Sequence, residues 1–315
     1  MRILFCGDTF PAASRYLSQK IDPSRDEIVC CPQDGIVPML EGVDVVIPLM
    51  CPIDAAVMDA GRFRLIQQWG AGLDGVDLAA ARARGIMVAN VPATGRNADS
   101  VAEHVIMLTI ALLRDLPAAQ ANVRAGRLGA PLGRMLASRT VCLYGLGAIA
   151  RALARRFRPF DVRLIGITRN PDSVIAGELG LDACYATRER ESGLADTDVL
   201  ILCSRLSGET RGAIDARALG ALRRGAYLVN AARGPLVDYA ALYAALESGH
   251  LAGAALDVYW TEPISPSDPL LALPHVIATP HVAGVTDRSY AEIADAVAAN
   301  LERLRRQDAP LNLAI

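Results

Sequence analysis

The sequence predicts an α/β protein built as two doubly wound parallel-sheet domains, and three observations carry that prediction. Short apolar runs alternate with helix-length segments from end to end of the 315 residues, the pattern of parallel strands covered by helices on both faces. At about 100–200 residues per domain, the chain is too long for one ordinary core. The runs also fall into two sets, separated by a helical segment too apolar to lie on a surface with one face buried.

The first set holds RILFC (2–6), EIVCC (27–31), VDVVIPL (43–49), RLIQQW (64–69) and IMVAN (86–90), with helical or turn-rich stretches such as Pro52 to Ala60 and Leu78 to Arg84 between them. NADSVAEHVIMLTIALLRDLP follows. Its Val101, Val105, Ile106, Leu108, Ile110, Leu112 and Leu113 cannot share one stripe, which predicts burial on more than one side, by crossing between domains, by packing on a second subunit, or both. Pro117 marks its stop. The second set holds RTVCLY (139–144), VRLIGI (162–167), TDVLILC (197–203), GAYLVN (225–230), LAGAALDV (251–258) and HVIAT (275–279). The last segment, Arg288 to Arg306, has amphipathic helical spacing and either returns to complete the first domain or caps the second.

A net charge of -2 gives no electrostatic reason to expect nucleic acid. The longest apolar run, Val105 to Leu113, is interrupted by Thr109 and falls short of the roughly 20 residues a bilayer requires, so no membrane segment is expected. The chain enters strand-like sequence at Ile3 without an apolar leader, which predicts a cytoplasmic protein. Seven cysteines are scattered without metal-ligand spacing, and buried, reduced thiols are expected at Cys6, Cys142 and Cys203. The adjacent Cys30 and Cys31 would point to opposite faces of a strand, a poor zinc site; no metal is expected.

VCLYGLGAIARALARRF reads as strand, turn and helix. Gly145 and Gly147 allow backbone N–H groups to approach a pyrophosphate, with the helix that begins near Ala148 and Ile149 turning its positive end toward the charge. Ala150 stands where a third glycine often sits. With the flanking strands present, the turn predicts dinucleotide binding. The next strand should end in an acid that holds a ribose 2′-hydroxyl, yet its tip offers Thr168, Arg169 and Asn170. A carboxylate would repel the 2′-phosphate of NADP, whereas Arg169 can pair with it and Thr168 and Asn170 add neutral hydrogen-bonding groups. NADP(H) is therefore expected to be preferred, with NAD(H) possible; the alternative is a solvated surface Arg169 and weak selectivity.

Three later segments, AYLVNAARGPLVD, GAALDVYWTEP and HVIATPHVAG, carry polar residues out of apolar runs. Ligands of open α/β sheets bind outside the carboxyl ends of the strands, so Arg233, Asp257, Glu262 and His281 could converge there. Arg233 could hold the carboxylate of a 2-keto acid and polarise its carbonyl, while a protonated His281 gives its proton to the developing alkoxide. Glu262 beside the histidine would favour the imidazolium.

The order GLGAIA, NAARG, DVYWTEP and TPHVAG resembles the D-isomer-specific 2-hydroxyacid dehydrogenase family over nearly the whole chain. The resemblance implies that Arg233 binds and polarises the substrate, that His281 is the acid/base with Glu262 as its partner, and that Asp257 accepts from the nicotinamide carboxamide. It implies a Rossmann coenzyme domain, 98–285, inserted in a flavodoxin-like substrate domain formed by 1–97 and 286–315. Coenzyme contacts are implied at Ser204, Ala232 and Gly284 as well. In QWGAGLDGVD it implies backbone N–H groups near Gly70, Ala71 and Gly72 that hold the substrate carboxylate, with Met50 and Cys51 walling the pocket and Asn97 near the cleft. A homodimer is implied too.

Two departures from the family pattern stand out. The NAD-type Asp is replaced by Thr168 followed by Arg169, which resembles the family's NADP-using glyoxylate and hydroxypyruvate reductases. In CSRLSGET, Arg205 follows Ser204 where many members have Pro; Arg205 either reaches the 2′-phosphate as a second cation or points to water. The uncharged loop near Met50 and Cys51 lowers 3-phosphoglycerate as a substrate. The expected activity is NAD(P)H-dependent reduction of a small 2-keto acid to the D-2-hydroxy acid. The competing readings are a dinucleotide-sensing binding protein of the same fold without significant turnover, and a formate-type dehydrogenase, which needs no alkoxide protonation.

Overall fold

The structure is a computed structural model and describes residues 1–315. Its chain divides into two compact units, Met1–Asn97 with Thr286–Ile315, and Ala98–Val285.

In the first unit β1 (Arg2–Cys6), β2 (Glu27–Cys31), β3 (Val45–Ile47), β4 (Leu65–Gln67) and β5 (Met87–Ala89) form a parallel sheet in the order β2-β1-β3-β4-β5. In the second, β6 (Thr140–Tyr144), β7 (Arg163–Thr168), β8 (Ala183–Ala186), β9 (Val199–Leu202), β10 (Ala226–Asn230), β11 (Leu251–Leu256) and β12 (Val276–Ala278) form another, ordered β12-β11-β10-β9-β6-β7-β8. Each order reverses once, between β1 and β3 and between β6 and β9, and a crevice opens at the carboxyl ends of the strands at such a point. These are the flavodoxin-like and Rossmann strand orders.

Burial on both faces explains why the strands read as unbroken apolar runs rather than as alternating ones. Every residue of TVCLY in β6, VLIL in β9 and AYLVN in β10 is buried. The strand missing from the sequence reading is β8: ACYA is short, lies at the sheet edge and is mostly half-buried, so it carries little periodic signal. Four helices start at aspartates: Asp54, Asp77, Asp215 and Asp238 each accept a hydrogen bond from the N–H three residues on, at 2.8–3.0 Å.

The helix Gly95–Leu113 is less completely enclosed than its composition suggested. Val101, Val105, Leu108, Leu112 and Leu113 are buried, but Met107 is 46% exposed and Glu103 faces water. No helix is long and apolar enough to cross a membrane.

The final helix, Asp287–Arg305, packs within the first unit. Tyr290 stands edge-on to Tyr16 and Trp69, with ring centroids 5.6 and 5.7 Å away. Asn300, 2% exposed, closes a buried polar cluster: its amide donates to Gln67 Oε1 at 2.8 Å and Leu311 O at 3.1 Å, and its Oδ1 accepts from Leu311 N at 2.7 Å.

Asn300→Leu keeps the branched shape but orphans the buried Gln67 Oε1 and removes the partner of two part-buried backbone groups of Leu311. The expected loss is roughly 1–3 kcal/mol, the penalty for leaving buried donors and acceptors unpaired, and urea denaturation of the variant and wild type measures it.

Candidate active site

At the carboxyl end of β6, Tyr144 lies in register with Leu202 of β9, so the turn after β6 and the loop after β9 meet at the point where the strand order reverses. Gly145 has φ +98°, and a Cβ there would lie 2.7 Å from Ser204 N. Only glycine fits this position. Ser204 also donates through Oγ to Tyr144 O at 3.1 Å. Gly147 is the N-cap of the helix Ala148–Phe157 and supplies no side-chain cap, and a Cβ on Gly147 would enter open space. The first-turn N–H groups, including those of Ala148 and Ile149, therefore remain available to an anion. Ala150 is fully buried. The turn thus fits a dinucleotide pyrophosphate: close backbone contact on one side, open space and free donors on the other.

Thr168 ends β7 half-buried, and Arg169 and Asn170 are exposed beyond it. Arg169 Nη2 lies 2.6 Å from Glu209 Oε2, a partner the sequence reading did not include. Arg205 is exposed; its carbonyl accepts from Thr210 Oγ1 at 2.8 Å.

Beyond β10, Asn230 shapes the next turn. Its Oδ1 accepts from Ala232 N at 3.0 Å and its Nδ2 donates to Arg233 O at 2.9 Å. Ala232 is buried, while the half-buried Arg233 donates through Nη1 to Ala232 O at 2.7 Å. Gly234 leaves no room for a side chain: a Cβ would overlap the Tyr259 backbone and lie 2.6 Å from Trp260 N. This contact brings the Arg233 turn against the segment that holds Glu262. Trp260 pins the same junction, with Nε1 donating to Val237 O at 2.7 Å.

Glu262 and His281 are paired, His281 Nδ1 lying 2.6 Å from Glu262 Oε2. The other carboxylate oxygen accepts from Tyr259 N at 2.9 Å, which fixes the acid in place. Nδ1–H donates to the carboxylate, which orients the ring and directs Nε2 away from Glu262. His281 adopts φ +55°, an uncommon value for a residue with a side chain.

Asp257 holds the loop in that conformation. The side chain is fully buried; Oδ1 accepts from Thr279 Oγ1 at 2.6 Å and Val282 N at 2.9 Å, and Oδ2 accepts from Ala283 N at 2.9 Å. Thr279 has spent its one proton on Asp257, so the 3.1 Å contact between Thr279 Oγ1 and His104 Nε2 requires the proton to sit on His104 Nε2. Burial pushes the Asp257 carboxyl up, but the hydrogen bonds from His104, Thr279, Val282 and Ala283 outweigh it and leave it below the ordinary value. Tyr259 completes the frame: its Oη lies 2.9 Å from Thr279 O and 3.1 Å from Leu256 O, so its single proton is shared between two backbone carbonyls. Its hydroxyl is pushed up to about 12, first by burial and then by the charges of Asp257 and Glu262, so it stays a donor. Gly284 follows directly in the same loop.

Sequence reading missed His104, Thr279 and Tyr259. A histidine directly before the apolar run VIML was the available signal for the first of them.

The remaining expected residues belong to the first unit. Met50 and Cys51 lie in the turn after β3, where the first sheet reverses its strand order, and Cys51 is buried. Gln68 Nε2 donates to Leu49 O at 3.0 Å while its Oε1 accepts from Trp69 N at 2.9 Å, so this turn is tied to the one after β4. That second turn carries Gly70, Ala71 and Gly72, and no backbone carbonyl takes any of their three N–H groups. Asn90 Nδ2 steadies it through Ala71 O at 2.8 Å. Asn97 donates to Ser289 Oγ at 3.0 Å. No group of three or more His, Cys, Asp or Glu side chains is arranged to hold a metal ion.

Residues 106–283 match the family model for the NAD binding domain of D-isomer specific 2-hydroxyacid dehydrogenases. A glyoxylate reductase from Korarchaeum cryptofilum is 35% identical over 286 residues, covering 88% of this chain and 84% of that one. A D-3-phosphoglycerate dehydrogenase from Archaeoglobus fulgidus is 32% identical over 290 residues; the match covers 91% of this chain but 53% of the relative. Among solved structures, the NADPH-dependent glyoxylate/hydroxypyruvate reductase of Sinorhizobium meliloti, in complex with NADP and malonate, superposes with a TM-score of 0.84 at 32% identity, covering 99% of this chain and 96% of that one.

Asp257→Asn places amide hydrogens against backbone N–H groups and is expected to cost roughly 1–3 kcal/mol at pH 7. The lowered carboxyl contributes stability that is complete above the ordinary carboxylate range and is lost as the pH falls through its lower folded value. The gap between wild type and variant in denaturant unfolding should therefore close below about pH 4; a gap independent of pH contradicts this account.

Proposed function

Because this chain belongs to the D-isomer-specific 2-hydroxyacid dehydrogenase family, an oxidoreductase family using a nicotinamide dinucleotide, we propose that it reduces a small 2-keto acid of the glyoxylate or hydroxypyruvate kind to the D-2-hydroxy acid, with NADPH preferred over NADH. The observation that carries the proposal is the 2.6 Å pairing of His281 Nδ1 with Glu262. A base fixed by an acid is what protonation of an alkoxide demands, and it argues for hydroxyacid rather than formate chemistry.

The reduced nicotinamide supplies a hydride to the carbonyl carbon when bound. Arg233 holds the substrate carboxylate and polarises the carbonyl. His281, as the imidazolium, gives the Nε2 proton to the developing alkoxide, and Glu262 keeps the ring in place and balances its charge. In the oxidation direction His281 takes the proton back. Gly145, Gly147, Ala148 and Ile149 hold the pyrophosphate. Thr168, Arg169 and Asn170 take the 2′-phosphate end, with Ser204, Arg205, Ala232 and Gly284 completing the coenzyme contacts. Asp257 Oδ2 accepts one hydrogen bond from the chain and has a further lone pair; because the carboxylate is fully buried, the loop Thr279–Ala283 has to yield for it to accept from the nicotinamide carboxamide.

Met50, Cys51, Gly70, Ala71, Gly72 and Asn97 belong to the same reading as substrate residues. The uncharged Met50–Cys51 turn suits a short keto acid without a phosphate. Support also comes from the reductase of Sinorhizobium meliloti that is named for this activity. Seven unpaired cysteines accord with a reducing, cytoplasmic location.

The proposal extends to a homodimer. Leu128 and Leu132 are 95% and 98% exposed, and Val123 and Met135 about three-quarters exposed, in the stretch after the helix Leu116–Arg124 begins. Apolar side chains displayed in this way call for cover, which a second copy supplies.

Initial rates of NADPH and NADH oxidation with glyoxylate, hydroxypyruvate and a bulkier 2-keto acid test the activity. Turnover with an NADPH preference is expected; His281→Ala should lower kcat by about 10²–10⁴-fold, and Arg169→Asp should weaken NADPH far more than NADH. Binding of both cofactors without turnover across a broad panel would favour a dinucleotide sensor instead. Light scattering should give a dimer mass for wild type and a smaller one for Leu128→Asp/Leu132→Asp. A wild-type monomer mass independent of concentration counts against the dimer.

A further inference from the structure

The tip of β7 lacks the acid usual at such a position, but the space beside it does not. Glu209 reaches Arg169 from the loop after β9, Oε2 to Nη2 at 2.6 Å. Both side chains are mostly exposed, at 72% and 68%, so a pair of this kind contributes little to stability. Its placement is what matters. The loop is held at its start by Ser204 Oγ on Tyr144 O, and within itself by Thr210 Oγ1, which accepts from Ser207 N at 2.8 Å and donates to Arg205 O at 2.8 Å. Glu209 is therefore presented by a stitched turn that begins against the glycine turn of β6, on the side of the crevice expected to receive the adenosine end of a dinucleotide.

A carboxylate in this position acts in two ways. It offers ribose hydroxyls the acceptor that the strand tip lacks. It also offsets the charge of Arg169, so that a 2′-phosphate has to displace it and is repelled by it. We propose that Glu209 is a cofactor-specificity residue: its carboxylate replaces the missing strand-tip acid for NADH and competes with the 2′-phosphate of NADPH for Arg169. The pair closed over Arg169 accepts ribose hydroxyls; the pair opened exposes Arg169 to the phosphate. This inference rests on the reading of Arg169 as the ligand of the 2′-phosphate and adds the residue that limits its selectivity.

Calorimetric titration of NADPH and NADH, without substrate, into wild type, Glu209→Gln, Arg169→Gln and the double variant tests it. Glu209→Gln should tighten NADPH by about three- to tenfold, the effect of one screened charge at hydrogen-bonding range, and should weaken NADH. The gain should shrink at high salt and largely vanish in the Arg169→Gln background. If Arg169→Gln changes the NADPH/NADH affinity ratio but Glu209→Gln moves it by less than about threefold, the role of Glu209 is overturned and that of Arg169 stands. If Arg169→Gln leaves the ratio unchanged, both fail together. Thermal unfolding controls for folding, since both residues are mostly exposed.

Discussion

A carboxylate sealed from water has to be satisfied by its neighbours, and those of Asp257 are the residues that flank His281. Moving an ion into the interior is costly unless hydrogen bonds replace its water. Here Thr279, Val282 and Ala283 supply them, from either side of Pro280 and His281. The energetic demand of one buried charge thus dictates the path of the loop, including the left-handed backbone at His281. Glu262 meets the same loop from the other direction, held by Tyr259 N while Tyr259 itself donates to Thr279 O. The acid and the histidine are set by one closed circuit of hydrogen bonds rather than by two independent loops.

That circuit lies at the carboxyl ends of β11 and β12, at one edge of the second sheet. Both sheets reverse strand order once, and in both the reversal is marked by a glycine directly after the first strand of its unit: Gly7 after β1 and Gly145 after β6, each with positive φ. In both cases the neighbouring loop presses on the glycine, Cys51 Sγ at 2.7 Å from a Cβ position at Gly7 and Ser204 N at 2.7 Å from one at Gly145. A side chain at either position would push apart two loops that diverge from adjacent strands. The glycine turn after β6 is one instance of this constraint, and the helix starting at Ala148 follows it with no side-chain cap.

Most of the fold was legible because doubly covered strands need unbroken apolar runs, and runs of that kind are visible without a structure. Only the edge strand β8, short and half-buried, escaped. The pairing of Glu262 with His281 could be anticipated from residue type and strand-end position. Their supporting residues could not: the role of His104 depends on a 3.1 Å contact with Thr279, 175 positions away in the chain. The pairing of Arg169 with Glu209 is hidden for the same reason, since the two meet only where the loops after β7 and β9 come together. Charge and motif reveal what a residue can do; which partner already occupies it is a property of the folded chain.

The amide of Gln68 has a bearing on how such a protein can diversify. It joins the turn after β3 to the turn after β4 through one hydrogen bond, Gln68 Nε2 to Leu49 O. An insertion or deletion near Met50 would be transmitted through that amide to Gly70, Ala71 and Gly72. Exchange of the Met50 side chain, 38% exposed and outside the tether, would not be. The side chain at position 50 is thus less constrained by the fold than the length of the turn that carries it.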